Sequence, residues 1–377
     1  MFTLAAGGDA AGSPIALTIL IFVVLAFAWN LGAHYTGAVM GMPFAARAIV
    51  EWAALTLIGI FTVLGATFAS GRVEMTVGQH IIDDRFVRIP DAIVIISAAG
   101  ALTMLYNYWK VPTSTIQILV FCVAGTGLAG GIPVFWGTIG QLAIVWAAAP
   151  IVAFVLGLAF TRLLDLLVRP AVSLAQAQAQ VSPAAQTIVS RHWLGRIFPG
   201  VVLAWVAPPR LATAGGQAVL LGLRLLPALL VGVGIFASFV LGANDVANAT
   251  GAFILTHLFS TTIAGLIGGL AMAVGALTWG RRILHTVAFD VVRMDLNMAS
   301  AAQGVQALVV TAAVTQGFFT SMNQALIGAM AGTGLARGRQ TVQRQELFGI
   351  LLGWLVGPPS GLTLALILEW IVRLATR

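Results

Sequence analysis

The 377-residue sequence has few charged residues and a single cysteine, and both shortages limit what the protein can be. Charged residues make up 8% of the chain, whereas a soluble domain has about 25%. Cys122 has no second cysteine to pair with, which excludes an internal disulfide. Apolar residues account for 59% of the chain and the mean hydropathy is +1.00, so we predict a polytopic protein of the lipid bilayer.

The chain also lacks the side-chain groupings of an enzyme or a nucleic-acid-binding protein. No set of His, Cys and Asp has the spacing of a metal site or of a nucleophile and its base. We therefore expect no catalytic residue, and no cofactor other than Na⁺ as a coupling ion. The net charge of +7 comes mostly from arginines in short connecting loops, which is typical of the cytoplasmic side of membrane proteins.

One apolar stretch is interrupted by polar residues. Leu225 to Leu241 carries no charge and leads into residues 242–251, which read GANDVANATG. An ionisable group inside a span costs at least ~2.5–3.5 kcal/mol on insertion scales, so Asp245 indicates a function. The flanking glycines predict that the helix unwinds here and lines a cavity. A kinked helix whose polar residues only satisfy each other is the alternative.

A second kind of interruption precedes the run from Ile116 to Ala124. This run is too short to cross, as a helix, a hydrocarbon core about 30 Å thick. It ends at Gly125-Thr126-Gly127, then Gly130-Gly131-Ile132-Pro133, and it follows the hydroxyls of Ser114 and Thr115, so we predict one half of a re-entrant hairpin. The charged segment from Gly71 to Asp91 is predicted to be a polar loop.

The two halves of the chain repeat each other. The pentapeptide GTGLA at 125–129 recurs at 332–336, and at the same separation Ser114 falls on Ser321 and Gln117 on Gln324. Paired interrupted segments indicate a secondary transporter. We predict an all-α polytopic membrane protein with two inverted repeats, each with a broken helix and a re-entrant helical hairpin. Its parts are a first repeat (1–168), a cytoplasmic linker (169–219) and a second repeat (220–377).

Several motifs resemble those of the inorganic phosphate transporter (PiT) family. They are GANDVANA at 242–249, GRRILHT at 280–286, Gln303-Gly304, and the segment from Ala325 to Gly338. The resemblance implies two inverted repeats and symport of a tetrahedral oxyanion with Na⁺ or H⁺. It also implies that acidic and Asn residues of the broken helices bind the cation, and that hydroxyls at the hairpin tips bind the anion.

Other positions depart from the family pattern. His34-Tyr35 stands where the family carries an Asn-Asp pair, and the family's hairpin motif STTH becomes STIQ at 114–117 and SMNQ at 321–324. These departures resemble the sulfate-permease branch of the superfamily. One carboxylate in place of two favours H⁺ over Na⁺, because Na⁺ prefers several oxygen ligands and compensating charge.

Two groups of site residues are expected. Hydroxyls, amides and freed N–H groups at two helix starts predict an anion site, whose members are Ser114, Thr115, Gln117, Ser321, Asn323 and Gln324. Cation binding or coupling is expected from the broken helices, through Asn30, His34, Asn244, Asp245 and Asn248. If the cation is Na⁺, Asp245 and Asn248 are its expected ligands. Plain helix capping by the serines is the alternative for the first group.

The predicted function is secondary active symport of phosphate or sulfate, driven by H⁺ or Na⁺, in the inner cell membrane. An anion channel or an uncoupled anion permease is the alternative, because either could share the polar interruptions. The sequence leaves a homodimer open.

Overall fold

The computed structural model describes residues 13–109, 113–167, 187, 189–206, 216–286, 294–338 and 344–375. These residues form helices, and the only extended pairing among them is an isolated bridge between Ile82 and Val134. Eight helical segments of the described residues are long and apolar enough to cross a membrane. The prediction of an all-α membrane protein is confirmed.

The described helices of the first half run in chain order from α1 to α7. Their bounds are α1 Pro14–His34, α2 Thr36–Ala45, α3 Glu51–Ala69, α4 Gly71–Gln79, α5 Ile89–Tyr108, α6 Thr115–Gly130 and α7 Trp136–Leu167.

The rest of the described chain begins with two short helices inside the predicted linker, and the second half follows. Their bounds are α8 Trp193–Ile197, α9 Pro199–Val206, α10 Gly216–Asp245, α11 Ala247–Leu255, α12 Thr261–Thr278, α13 Gly280–Thr286, α14 Leu296–Thr315, α15 Met322–Arg337 and α16 Arg344–Ala375. Helix α10 starts at Gly216, inside the predicted linker of residues 169–219, and much of that linker lies outside the described residues. The division into two repeats and a linker stays a prediction.

Helices of one half pack on helices of the other in a reciprocal pattern. Helix α15 packs on α7 as α6 packs on α16, and α10 packs on α3 as α1 packs on α12. Helices α3 and α12 pack antiparallel, since Gly59 meets Ala273 while Gly269 meets Val63. An inverted repeat predicts this arrangement, because a two-fold axis in the membrane plane reverses the direction of related helices. Superposition of residues 1–168 on 220–377 stays a prediction.

The two broken helices are interrupted by one residue each. Tyr35 separates α1 from α2 with φ −90° and ψ 0°, and Val246 separates α10 from α11 with helical dihedrals of −57° and −37°. The prediction of an unwound segment beside Asp245 is therefore wrong. Gly242 serves packing instead, because a Cβ there would collide with the carbonyl oxygen of Thr62 on α3.

The hairpin prediction needs a similar correction at its end. Helix α6 does not stop at Gly125-Thr126-Gly127 but continues to Gly130. A Cβ on Gly125 would collide with the backbone of Leu362, so the glycine permits close packing on α16 rather than ending the helix. With 16 residues α6 is about 24 Å long at 1.5 Å per residue, still short of a full crossing.

The segment from Gly71 to Asp91 is not simply a loop. Its first nine residues form α4, which packs on α11. Arg72 of α4 donates a hydrogen bond to the carbonyl oxygen of Thr315, and Thr76 donates one to that of Gly317. Helix α4 is thereby tied to the connection that leads into α15.

Candidate functional site

Asp245 lies at the end of α10, fully buried, and its neighbours are neutral donors. Asn244 Nδ2 donates to one carboxylate oxygen at 2.9 Å, and Asn248 Nδ2 lies 3.4 Å from the other. All three side chains have 0% exposure. None of the salt bridges among the described residues includes Asp245. Its negative charge is thus held by hydrogen bonds alone, which is costly at membrane depth unless a cation compensates it.

The two asparagines beside Asp245 connect it to both hairpins. Asn244 donates to the carbonyl oxygen of Thr320 at 2.8 Å and accepts from the backbone N–H of the same residue at 3.2 Å. Thr320 directly precedes Ser321, the N-cap of α15. Asn248 Nδ2 lies 3.4 Å from Thr115 Oγ1, in the first turn of α6. One helix interruption therefore touches the starts of α6 and α15.

The interruption of the first half makes the matching contacts. The hydroxyl of Tyr35 hydrogen-bonds that of Thr115 at 2.8 Å in a buried position and also faces the Asp245 carboxylate. His34 Nε2 lies 3.3 Å from Asn323 Nδ2 at the start of α15. Each broken helix thus reaches both short helices, and the four segments meet at one place.

The predicted anion-binding side chains stand at the starts of α6 and α15 in equivalent geometry. Ser114 Oγ accepts from the backbone N–H of Gln117 at 3.4 Å, and Ser321 Oγ accepts from that of Gln324 at 3.3 Å. Both serines have 1% exposure, so they are helix caps turned into the protein rather than toward its surface. The two serines therefore do cap their helices, as the alternative interpretation predicts, although both hydrogen bonds are long. Each serine only accepts in this contact, so its hydroxyl hydrogen is available to donate to another acceptor.

Several polar atoms around this meeting point have no partner among the described residues. They are the amide oxygens of Gln117, Gln324 and Asn248 and the hydroxyl of Thr320. Unpaired buried polar groups are rare and cost about 1–3 kcal/mol each. A side-chain amide can turn to present either its oxygen or its N–H₂ group. The cluster can therefore bind an anion through N–H and O–H donors, or a cation through amide oxygens.

The structure brings together most of the predicted site residues and adds three. Asn30 lies in α1 one turn before His34, and its buried Nδ2 has no hydrogen-bond partner among the described residues, so no side-chain hydrogen bond joins it to the other ten. Tyr35, Thr320 and Gln306 belong to the site without having been assigned a role. Gln306 donates to the carbonyl oxygen of Met322, and its polarity inside the apolar α14 is the signal that could have identified it.

A conventional metal site is absent from the described ranges, which contain no group of three His, Cys, Asp or Glu side chains placed to hold an ion. A Na⁺ ion would depend on the Asp245 carboxylate and the free amide oxygen of Asn248, joined by hydroxyl or carbonyl oxygens. These oxygens fit Na⁺ by ligand type.

Paired short helices that meet two interrupted helices inside a bundle of membrane spans are typical of membrane transporters. Comparison with known proteins shows the family. The profile of the phosphate transporter family matches residues 31–365, and the chain belongs to this family. The prediction of a transporter, and not an enzyme, is confirmed.

Relatives within the family differ in the anion that their names give. The chain is 25% identical to the chloroplastic inorganic phosphate transporter 2-1 of Arabidopsis thaliana, over 96% of this chain and 73% of that protein. It is also 25% identical to the sulfate permease CysP of Bacillus subtilis, over 92% of this chain and 86% of that one. The predicted resemblance to phosphate transporters, with a sulfate permease among the relatives, is confirmed.

A solved structure of a sodium-dependent phosphate transporter has the same fold. The TM-score is 0.76 at 20% sequence identity, and the match covers 96% of this chain and 99% of the other. At this identity the likeness establishes the fold alone.

Proposed function

We propose that this protein is a proton-coupled symporter of a tetrahedral inorganic oxyanion, phosphate or sulfate. The observation that carries the proposal is the convergence of four segments. Tyr35 and Asn248 meet Thr115 of α6, while His34 and Asn244 meet the start of α15. A site between two repeats is open to alternating access, because either half can move against it.

Oxyanion binding is supported by the chemistry of the two helix starts. The Ser114 and Ser321 hydroxyls, the Gln117 and Gln324 amides and the first N–H groups of α6 and α15 are all neutral donors. Neutral donors hold a multiply charged anion without the tight ion pairs that would slow its release. Thr115 and Asn323 join these donors to the broken helices.

Coupling is supported by the single carboxylate. An anion that arrives beside Asp245 is repelled unless a cation arrives with it. Both carboxylate oxygens already accept N–H groups, and Tyr35 fills the place of a second acid, so few oxygen atoms are left for a Na⁺ shell. A proton needs only one oxygen. His34 joins the first broken helix to the start of α15 through its hydrogen bond with Asn323.

Transport by the Asp245→Asn variant tests the coupling. In proteoliposomes an imposed pH gradient should drive accumulation of labelled phosphate or sulfate by the parent and not by the variant. Exchange of anion between two loaded compartments should persist in the variant, because it needs no net proton movement. Asp84→Asn is the matched control, since Asp84 faces His257 outside the spans and should leave accumulation unchanged.

Two outcomes would contradict this function. Uptake that requires Na⁺ and does not respond to the pH gradient would show that Na⁺, and not H⁺, is the coupling ion. Full accumulation by Asp245→Asn would exclude Asp245 from coupling. Gradient-independent, non-saturating flux would indicate a channel. Competition between phosphate and sulfate in the same assay identifies the anion.

The family and the eight apolar helices make this an integral membrane protein. We propose the inner cell membrane as its location, which fractionation would test. A homodimer stays a prediction; the mass of the purified protein would be compared with 39.2 kDa for one chain.

A further inference from the structure

A second buried carboxyl group lies outside the site described above. Glu74 of α4 has 0% exposure, and its Oε1 lies 2.6 Å from the hydroxyl of Thr250 on α11. Its other oxygen, Oε2, is buried without a hydrogen-bond partner among the described residues. No salt bridge of those residues includes Glu74. An ionised carboxylate in this position would be desolvated and uncompensated.

The hydroxyl of Thr250 indicates where a proton is held. Its oxygen lies within hydrogen-bonding distance of two acceptors, Glu74 Oε1 at 2.6 Å and the carbonyl oxygen of Val246 at 3.0 Å. A hydroxyl has one hydrogen and can donate to only one of them. If Glu74 is protonated, it donates to Thr250 and Thr250 donates to Val246, so both contacts are hydrogen bonds. If Glu74 is ionised, one contact has no hydrogen.

The position of this pair connects it to the moving parts of the proposed cycle. Val246 is the residue that interrupts the helix beside Asp245. Helix α4 is also bonded to the connection before α15 through Thr76 and the carbonyl oxygen of Gly317. Glu74 therefore lies between a broken helix and the segment that leads to the anion-binding Ser321.

Few other ionisable groups could account for a titration here. The described helices that pack on α4 are α3, α10, α11, α12 and α14, and within their bounds they carry only Glu51, Arg224 and Asp245. Glu51 pairs with Arg281 and His285 at the other end of α3, and Arg224 lies over the ring of Trp205. Arg72 and the exposed His80 are the nearest such groups around α4 itself.

We propose that Glu74 is a proton-binding site separate from Asp245, protonated while α4 is packed on α11 and ionised when the two helices separate. This proposal rests on the proposed function, since it assigns the proton to the same transport cycle. Burial raises the pKa of Glu74 to about 8, and the hydrogen bond from Thr250 opposes part of that rise. The packed arrangement is therefore favoured below pH 8 and loses its proton above it.

The test is the pH dependence of anion exchange at equal pH on both sides of the membrane, measured in the Asp245→Asn variant so that Asp245 cannot titrate. Above pH 8 its exchange rate should fall about tenfold per pH unit, as the protonated fraction of Glu74 does. Glu74→Gln keeps the shape of a protonated Glu and cannot ionise, so the exchange rate of the double variant should stay within about twofold over the same range.

Infrared spectroscopy supplies a readout independent of transport. The carbonyl band of a protonated carboxylic acid should disappear from the parent as the pH rises through 8, and Glu74→Gln should lack that change. The Asp245→Asn variant should keep it. An unchanged pH profile when Glu74→Gln is added to Asp245→Asn, or an unchanged infrared titration in Glu74→Gln, would overturn the proposal. A Na⁺ requirement in the parent would refute only the proton coupling at Asp245, because exchange at equal pH needs no proton gradient.

Discussion

Replacing the two capping serines, Ser114 and Ser321, by alanine is the most direct test of the proposed anion site. Ser114→Ala and Ser321→Ala each remove one hydroxyl that is free to donate to a bound anion, since in the structure each accepts only a long hydrogen bond from its own helix. A hydrogen bond to a charged partner contributes about 1.5–3 kcal/mol. The dissociation constant should therefore rise by roughly one to two orders of magnitude in each variant.

Loss of the cap itself must be separated from loss of the anion contact. An N-cap Ser→Ala change costs about 1 kcal/mol of stability. Ser13 caps α1 with nearly the same geometry, accepting from Ala16 N at 3.2 Å, and lies exposed at the start of that helix. Ser13→Ala should lower the thermal midpoint as the site variants do, yet leave anion affinity unchanged.

Binding of labelled phosphate and sulfate to purified protein in detergent, with a thermal unfolding curve for every variant, is the assay. Unchanged affinity in both Ser114→Ala and Ser321→Ala, with the protein folded, would show that the anion binds elsewhere. An equal loss of affinity in Ser13→Ala would show that the effect arises from helix stability.

Two further variants examine contacts that hold the site together. Tyr35→Phe removes the hydroxyl bonded to Thr115, and gradient-driven uptake should fall about two- to tenfold because a buried neutral hydrogen bond contributes about 0.5–1.5 kcal/mol. Uptake at the parent rate would exclude Tyr35 from the site. Gly242→Ala would force a Cβ into the carbonyl of Thr62, whereas Gly232→Ala on the same helix meets nothing within 4 Å. The first should destabilise by about 1–3 kcal/mol and the second should not, as thermal unfolding would show; equal melting of both would refute the close α3–α10 packing.

The sequence alone determined the class of the protein and predicted most of the side chains that the structure brings together at the candidate site. Low charge and long apolar runs require a membrane environment, and the repeated GTGLA and Ser-x-x-Gln patterns locate both hairpins. Asp245 could be assigned a function because an ionisable side chain inside a span is costly wherever the helix packs. These inferences depend on the types of neighbouring residues, which can be seen directly in the sequence.

The local consequences of glycine were harder to predict. Gly125 and Gly242 were interpreted as helix-ending or helix-unwinding residues, and both lie inside continuous helix against a neighbouring backbone. A glycine has the same sequence signal whether it frees its own backbone or makes room for another one. Only the position of the neighbouring helix distinguishes the two roles.

Tertiary structure alone decided which polar groups meet. Tyr35 contacts Thr115 across 80 residues and Glu74 contacts Thr250 across 176, and no local pattern relates either pair. The charged residues between Gly71 and Asp91 predicted a polar loop that includes Glu74. In the structure α4 packs on α11 and Glu74 is buried. Burial changes the chemistry of a carboxyl group far more than its sequence neighbours do, because removal from water penalises the ionised form. The close helix packing that sets this burial is a property of the folded bundle.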